Sequence, residues 1–440
     1  MQHNLKSSST ISIPEYGRLN RNDIAPKLLK ELERFDEFHA KRTGDTIFDW
    51  SNRKYFKAKN YVGVIQVHGL TIEILPKIDA AKKENFHNQE EQRSRQNLTY
   101  MLSMTGRIPF HERELASQSI QKLPLIEALI RVFSNRLLLE IRRGQHHRYV
   151  YLENNLPYVK GRILMGKQVT QNAARQHLTF VGYDEFSNDT WLNRILKATC
   201  FRLLEVSHST RTQQYLRESL LELADVEDSV IEPFHFDSVV VERNAERFET
   251  LLNFSRHVLF GSTPTPEKGK SSTFSLLFPM EKLFEEFIGS FLRRYSNRFG
   301  FSRSSIHIQA RRRRLSLLRD QDNRPKFQLK PDVIIDGPKK RAAIILDTKW
   351  KRLLSNEEDR KNGVLQADIY QLYAYSQRYQ CENNILLFPL VADVTPKSYR
   401  PDGFDTPNRL RVEFVDLNYN LRINRNRLID NLQKVLLKSQ

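Results

Sequence analysis

Two runs and two later residues govern the reading of this chain: Phe327-Gln-Leu-Lys-Pro-Asp-Val-Ile-Ile-Asp336, Ala342-Ala-Ile-Ile-Leu-Asp-Thr-Lys-Trp350, and then Gln371 and Tyr375. Their β-branched and aliphatic content predicts two strands, 327–336 and 342–350, and Gly337-Pro338 followed by charged residues predicts the turn between them. Side chains alternate along a strand, so Asp347 and Lys349 share one face and Thr348 points to the other. Pairing of the two strands as a hairpin brings Asp332 beside Asp347 and Lys349.

Two carboxylates held together repel, and a hard divalent cation with oxygen ligands relieves that repulsion at neutral pH. The pattern therefore asks for a metal. A lysine next to metal-acidified water can orient the water or stabilise negative charge developing on phosphorus oxygens, which is phosphodiesterase chemistry. Residues 357–379 have helical spacing: Val364, Leu365, Ile369, Leu372 and Tyr373 form an apolar face, and Gln371 and Tyr375 stand one turn apart on another.

Pro331-Asp332, then Asp347-Thr348-Lys349, then Gln371-x-x-x-Tyr375 resembles the PD-(D/E)-x-K nuclease superfamily, in particular its RecB-like branch. Asp-x-Lys alone is a weak signal, whereas the ordered set is specific. The resemblance implies an α/β restriction-endonuclease-like domain, with a central mixed sheet flanked by helices, over residues 273–440. It also implies a glutamate on a preceding helix. The segment 278–288 offers Glu281, Glu285 and Glu286, of which Glu285 is the expected one, although helix geometry alone reads all three as a solvated face. The implied catalytic set is Glu285, Asp332, Asp347, Lys349, Gln371 and Tyr375. Asp332, Asp347, Glu285 and the Thr348 carbonyl are expected to hold Mg2+, with Mn2+ as a substitute.

The chain has 440 residues, enough for two or three domains, with 70 Lys plus Arg against 52 Asp plus Glu, a net charge of +18. Such an excess favours a polyanionic partner, above all double-stranded DNA. Arg311-Arg-Arg-Arg314 beside the metal-binding run is expected to contact the DNA backbone. Only Cys200 and Cys381 occur, which argues against a disulfide framework and a structural zinc. No apolar run is long enough to span a bilayer and the first ten residues lack a signal-peptide core, so the expectation is a cytoplasmic protein with no membrane partner.

The N-terminal part reads as α+β. A helix is expected over 24–40, an aromatic-rich stretch over 48–56, and a hairpin from 61–67 and 70–75 around His68-Gly69, giving a small β-rich module over 1–80. Residues 81–96 read as an exposed connection, 97–105 as a short helix and 125–143 as a core helix between Pro124 and Gly144. Strands are expected at 149–153, 156–164 and 178–186, and a helix over 191–206 capped by Asp189-Thr190. Residues 81–260 form the expected partner-docking region and 261–272 the linker. Gly269-Lys270-Ser271 in that linker lacks the earlier glycine of a phosphate loop, so no bound nucleotide is expected.

Lys160-Gly-Arg-Ile163, residues 183–198, Met280 to Ile288 and Asp347-Thr-Lys-Trp-Lys351 are similar to the McrC family, the nuclease subunit of McrBC restriction systems. The similarity runs from about residue 60 onward. It implies a subunit that docks into a hexameric ring of McrB-type AAA+ GTPases and stimulates their hydrolysis of GTP, while the partner recognises modified cytosine such as 5-methylcytosine and licenses cleavage. An autonomous RecB-like nuclease, or a silent DNA-binding activator, remains an alternative on the residues alone.

Overall fold

The computed structural model describes residues 10–77, 88–109, 123–239, 245–261, 273–310, 313–338, 341–351, 353, 363–390, 394–402 and 407–437. The chain folds as two compact units, one made of residues 1–125 with 263–440, the other of residues 126–262. The division falls at Leu125 rather than at residue 80.

The reason lies in one strand. Thr273–Pro279, which opens the nuclease-like region, pairs antiparallel with Tyr61–Val67. It completes a four-stranded sheet with Leu70–Leu75 and Thr10–Pro14. Tyr61–Val67 and Leu70–Leu75 form the expected hairpin, with His68 at φ 42° and Gly69 at φ 88° in its two-residue turn. Both strands are buried along their whole length, Gln66, Thr71 and Glu73 included, so they belong to an interior sheet. At Gly63 a β-carbon would meet the Leu276 carbonyl oxygen at 2.0 Å, so only glycine lets the third strand approach.

The expected helix at 24–40 is Pro26–Thr43, entered through proline and ended by Gly44 in the left-handed conformation. The connection expected at 81–96 is helical from Asn88 onward, within a helix Asn88–Met104, and residues 81–87 lie outside the described set. Glu91 and Arg95, one turn apart, pair at 2.7 Å and support it. Asn97 on this helix donates to the Tyr419 carbonyl and accepts from the Leu421 amide, fastening it to the C-terminal segment.

The main sheet of the first unit has six strands in the order Ile306–Ile308, Val333–Asp336, Ala342–Thr348, Asn383–Pro389, Arg409–Val415 and Lys397–Tyr399. Ala342–Thr348, Asn383–Pro389 and Arg409–Val415 run parallel; the other neighbours are antiparallel, making the mixed sheet expected of the region. The Gln366–Tyr379 helix is the crossover between two parallel strands, the arrangement that requires a helix. The Met280–Arg294 helix buries Leu283, Phe284, Phe287, Ile288 and Phe291 completely, each contributing about 1.5–3 kcal/mol.

Two expectations are corrected here. The predicted strand 327–336 is two strands in two sheets: Pro325–Leu329 pairs with Leu315–Arg319, and Val333–Asp336 enters the main sheet. Pro331 has no amide to donate to a ladder, so the chain breaks there and Asp332 stands at the mouth of the strand. The predicted helix 357–379 is helical from Gln366, with Leu365 as an exposed N-cap; 354–362 lie outside the described residues.

In the second unit, Arg148–Leu156 and Thr179–Ser187 pair antiparallel over nine residues; of the strand expected at 156–164, Leu156 ends the first of these and Arg162–Ile163 forms a short third strand. The Trp191–Val206 helix begins as predicted, with the Thr190 hydroxyl accepting from the Asn193 amide. Phe133 and Phe254 meet in its core at 5.0 Å. Arg142 pairs with Glu218 at 2.9 Å, so it is bound within the protein. The linker 261–272, from 262 on, lies outside the described residues.

Candidate active site

Four separated segments bring the sequence-predicted residues together. The register Val333↔Leu346 sets Asp332 opposite Asp347, as the paired-strand argument requires. Asp332 Oδ2 accepts from the Thr348 amide at 2.6 Å and from its hydroxyl at 2.7 Å. The Thr348 amide and hydroxyl therefore both serve one Asp332 oxygen. Lys349 continues the ladder through its amide, which donates to Leu387 O at 2.9 Å. Its ammonium lies 2.8 Å from Asp347 Oδ2 and 2.9 Å from Gln371 Oε1. Gln371 in turn donates to the Tyr375 hydroxyl at 2.9 Å, one helical turn on.

Glu285 and Glu286 have different fates. Arg107 grips Glu286 with two hydrogen bonds, 2.6 and 2.7 Å, and so occupies it. Glu285 accepts from Gln309 Nε2 at 3.0 Å, while the Gln309 amide donates to the Asp332 carbonyl at 2.6 Å. Gln309 thus ties the helix glutamate to the aspartate loop. It adopts φ 54°, as Ala310 does φ 46°, and no sequence signal announced it.

The electrostatics favour a cation. Burial pushes Asp332 well above the ordinary carboxyl range, and the charges of Asp347 and Glu285 push it further. Asp347 is also raised, first by burial, with Lys349 opposing. Glu285 follows, through burial and the neighbouring Glu286 and Asp347 charges. Burial works against the Lys349 charge, but Asp347 and Asp368 outweigh it and hold the ammonium above its usual value. Burial and the two aspartates push the Tyr375 phenol upward, so it stays protonated.

Asp347 Oδ2 is buried, and its partner is the Lys349 ammonium 2.8 Å away. Among the described residues no three or more His, Cys, Asp or Glu side chains are gathered as a ready metal cage. Magnesium needs no such cage, since one or two carboxylates plus water suffice. Two buried carboxyls on paired strands, both raised, fit that requirement.

Two members of the arginine run are described. Arg311 and Arg312 lie outside the described residues, and Arg313 turns inward to pair with Asp336 at 2.7 Å. His307 meets the other Asp336 oxygen at 2.8 Å. Arg313 thus has an internal partner, and Arg314 is exposed. Cys200 and Cys381 are both buried free thiols.

Sequence reasoning missed three side chains. Asp368 precedes Gln371 and Tyr375 at helical spacing and lies 3.9 Å from Lys349; that spacing was the available signal. Lys351, two residues beyond Lys349, reaches Asp368 at 3.2 Å. Glu15, wholly buried, accepts the Trp350 indole N–H, and Trp350 packs on Phe284 at 5.1 Å.

Residues 56–389 match the family model for the McrBC 5-methylcytosine restriction system component, more than half of the chain. The chain belongs to that family. It is an McrC-type subunit by the same comparison and by its relatives. It is similar to the Escherichia coli K12 type IV methyl-directed restriction enzyme EcoKMcrBC, 23% identical over 321 residues, which are 70% of this chain and 89% of that protein. A chain of the Thermococcus gammatolerans assembly of McrB AAA+ hexamers with bound McrC shares its fold, with TM-score 0.63 and 19% identity over 95% of this chain and 100% of that one. A second Thermococcus gammatolerans McrBC structure matches at TM-score 0.52 and 23% identity, over 65% of this chain and 88% of the other. No helix among the described residues of this McrC-type chain is long and apolar enough to cross a membrane.

Proposed function

We propose that this McrC-type chain is the endonuclease subunit of its restriction system, hydrolysing DNA phosphodiesters when assembled with an AAA+ GTPase partner whose GTP hydrolysis it stimulates. The observation that carries the nuclease reading is the pair of buried, raised carboxyls Asp332 and Asp347, with the Lys349 ammonium 2.8 Å from Asp347 and hydrogen-bonded to Gln371. The PD-(D/E)-x-K assignment rests on the same residues. Dependence on a partner rests on the AAA+ hexamers named with McrC in the similar Thermococcus gammatolerans assembly.

Asp332, Asp347 and the Thr348 carbonyl would hold Mg2+, or Mn2+ in its place, with Glu285 tuning the site from the neighbouring helix. The bound ion supplies a more acidic water and offsets phosphate charge. The chain's own residues do the rest. Thr348 orients Asp332 through two hydrogen bonds, which fixes the direction of its second oxygen. Lys349 sets a positive charge at the place where negative charge grows on the phosphorus oxygens, and acts without reorganisation because Gln371 has already placed it. Tyr375 keeps its proton and steadies Gln371.

The experiment is cleavage of methylated and unmethylated plasmid with Mg2+, by the chain alone and with an McrB-type AAA+ protein, with GTP present or omitted. Cutting of methylated plasmid that requires both partner and GTP is the expected result. Cutting by the chain alone assigns an autonomous nuclease instead, and no cutting under any condition overturns the catalytic reading.

A further inference from the structure

Asp368 is the third residue of the Gln366–Tyr379 helix and is nearly buried, 7% exposed. Its two carboxylate oxygens serve two lysines. Oδ2 accepts from Lys351 Nζ at 3.2 Å, and Oδ1 lies 3.9 Å from Lys349 Nζ. Asp347, Lys349 and Lys351 follow at every second position. The Lys351 side chain is 36% exposed and Lys349 21%. Lys351 is therefore the outer ammonium of the pair, open to an anion that approaches the site.

We propose that Lys351 is a second phosphate-contacting cation of this site, and that Asp368 is the positioning residue that holds Lys349 and Lys351 as a pair. The inference rests on the phosphodiesterase reading of the site. Two ammonium groups placed side by side repel, and each long side chain would otherwise swing into solvent. One carboxylate between them removes both effects. It leaves Lys349 directed at Asp347 and Gln371, and Lys351 at the rim with donors to spare, since an ammonium has three. Two placed cations match a DNA strand, whose successive phosphates offer more than one anionic oxygen within reach.

A different account would make Asp368 only an acid in the first turn of a helix, favourable to the helix dipole. That role involves neither lysine, which gives the test its second readout. The full chain, assembled with its AAA+ partner and supplied with GTP and Mg2+, is assayed for plasmid cleavage and for binding of a short fluorescent DNA duplex over a series of salt concentrations. Lys351→Met is expected to raise KM about tenfold with kcat within about twofold, and to reduce the log–log salt slope by about one. Lys351→Arg, which keeps the charge, retains most of the slope. Asp368→Asn is expected to reproduce the KM rise and the lost slope, and Asp368→Glu to restore both, with melting temperatures alike.

Wild-type KM and slope in Lys351→Met overturn the phosphate-contact assignment. A slope unchanged in Asp368→Asn, with a lowered melting temperature alone, makes Asp368 a helix-end charge and overturns its positioning role. A wild-type complex that cuts nothing sinks the nuclease reading first, and this inference with it.

Discussion

The Trp350 indole N–H points between the two carboxylate oxygens of Glu15, 3.2 and 3.1 Å away, across 335 residues of sequence. Trp350 directly follows Lys349, so a residue of the first strand's end buttresses the lysine of the candidate site. The Lys77 amide also binds Glu15, at 3.2 Å. The N-terminal segment is therefore part of the scaffold of that site.

Removing the Glu15 acceptor leaves a buried indole N–H unsatisfied, at a cost of about 1–3 kcal/mol. Glu15→Ala is expected to lower the unfolding midpoint in urea accordingly and to reduce cleavage. Glu15→Gln keeps an acceptor and should recover most of the stability. Equal midpoints for Glu15→Ala and wild type would show that this hydrogen bond does not brace the site.

The clustered carboxyls make the metal-free protein less stable at neutral pH. Asp332 holds its proton to a higher pH in the folded chain than in the unfolded one, so this penalty is absent at low pH and grows as pH rises from the ordinary 3.8 through the raised folded value. Asp332→Asn, which keeps an oxygen acceptor for Thr348, is expected to stabilise the metal-free chain by about 1–2 kcal/mol at neutral pH. Mg2+ at a hundredfold its Kd adds about 2.7 kcal/mol to the wild type and little to the variant. Calorimetry with and without Mg2+ reads both effects, and a variant still stabilised by Mg2+ would remove Asp332 from the metal set.

Gly63 joins the N-terminal sheet to the strand that leads into the Met280–Arg294 helix. A β-carbon there, 2.0 Å from the Leu276 carbonyl oxygen and on a backbone at φ 129°, forces the strands apart. Gly63→Ala is expected to cost about 2–4 kcal/mol. Denaturant midpoints test it; a loss under about 0.5 kcal/mol would mean that the sheet yields at this point.

His39 is 5% exposed, and among the described residues neither ring nitrogen has a hydrogen-bond partner. Burial, with Arg42 nearby, lowers its pKa to about 4 from the ordinary 6.5. The unfolded chain takes up the proton first, so stability is full above about pH 6.5 and falls as the pH drops toward 4. The loss amounts to about 2–3 kcal/mol across that window. Urea titrations at several pH values should show His39→Leu to be flatter than wild type over this range, and parallel curves would mean that the imidazole is not the group responsible.

The sequence by itself determined the order of the chemistry. Asp347 and Lys349 two apart on a strand, and Gln371 and Tyr375 one turn apart on a helix, are local periodicities, and local backbone geometry turns them directly into shared faces. The hairpin at His68-Gly69 and the Thr190 cap were legible for the same reason. Tertiary structure alone decided what crosses those periods. It broke the run at Pro331, bonded the Thr348 hydroxyl to Asp332, gave Arg107 to Glu286, and spent Arg313 on Asp336. It also set Gln309 between Glu285 and Asp332 and joined Thr273–Pro279 to the N-terminal hairpin. Each of these is a pairing between residues distant in sequence. Composition and spacing carry no record of such partners, because they are fixed by which buried polar groups can satisfy one another once the sheets have packed.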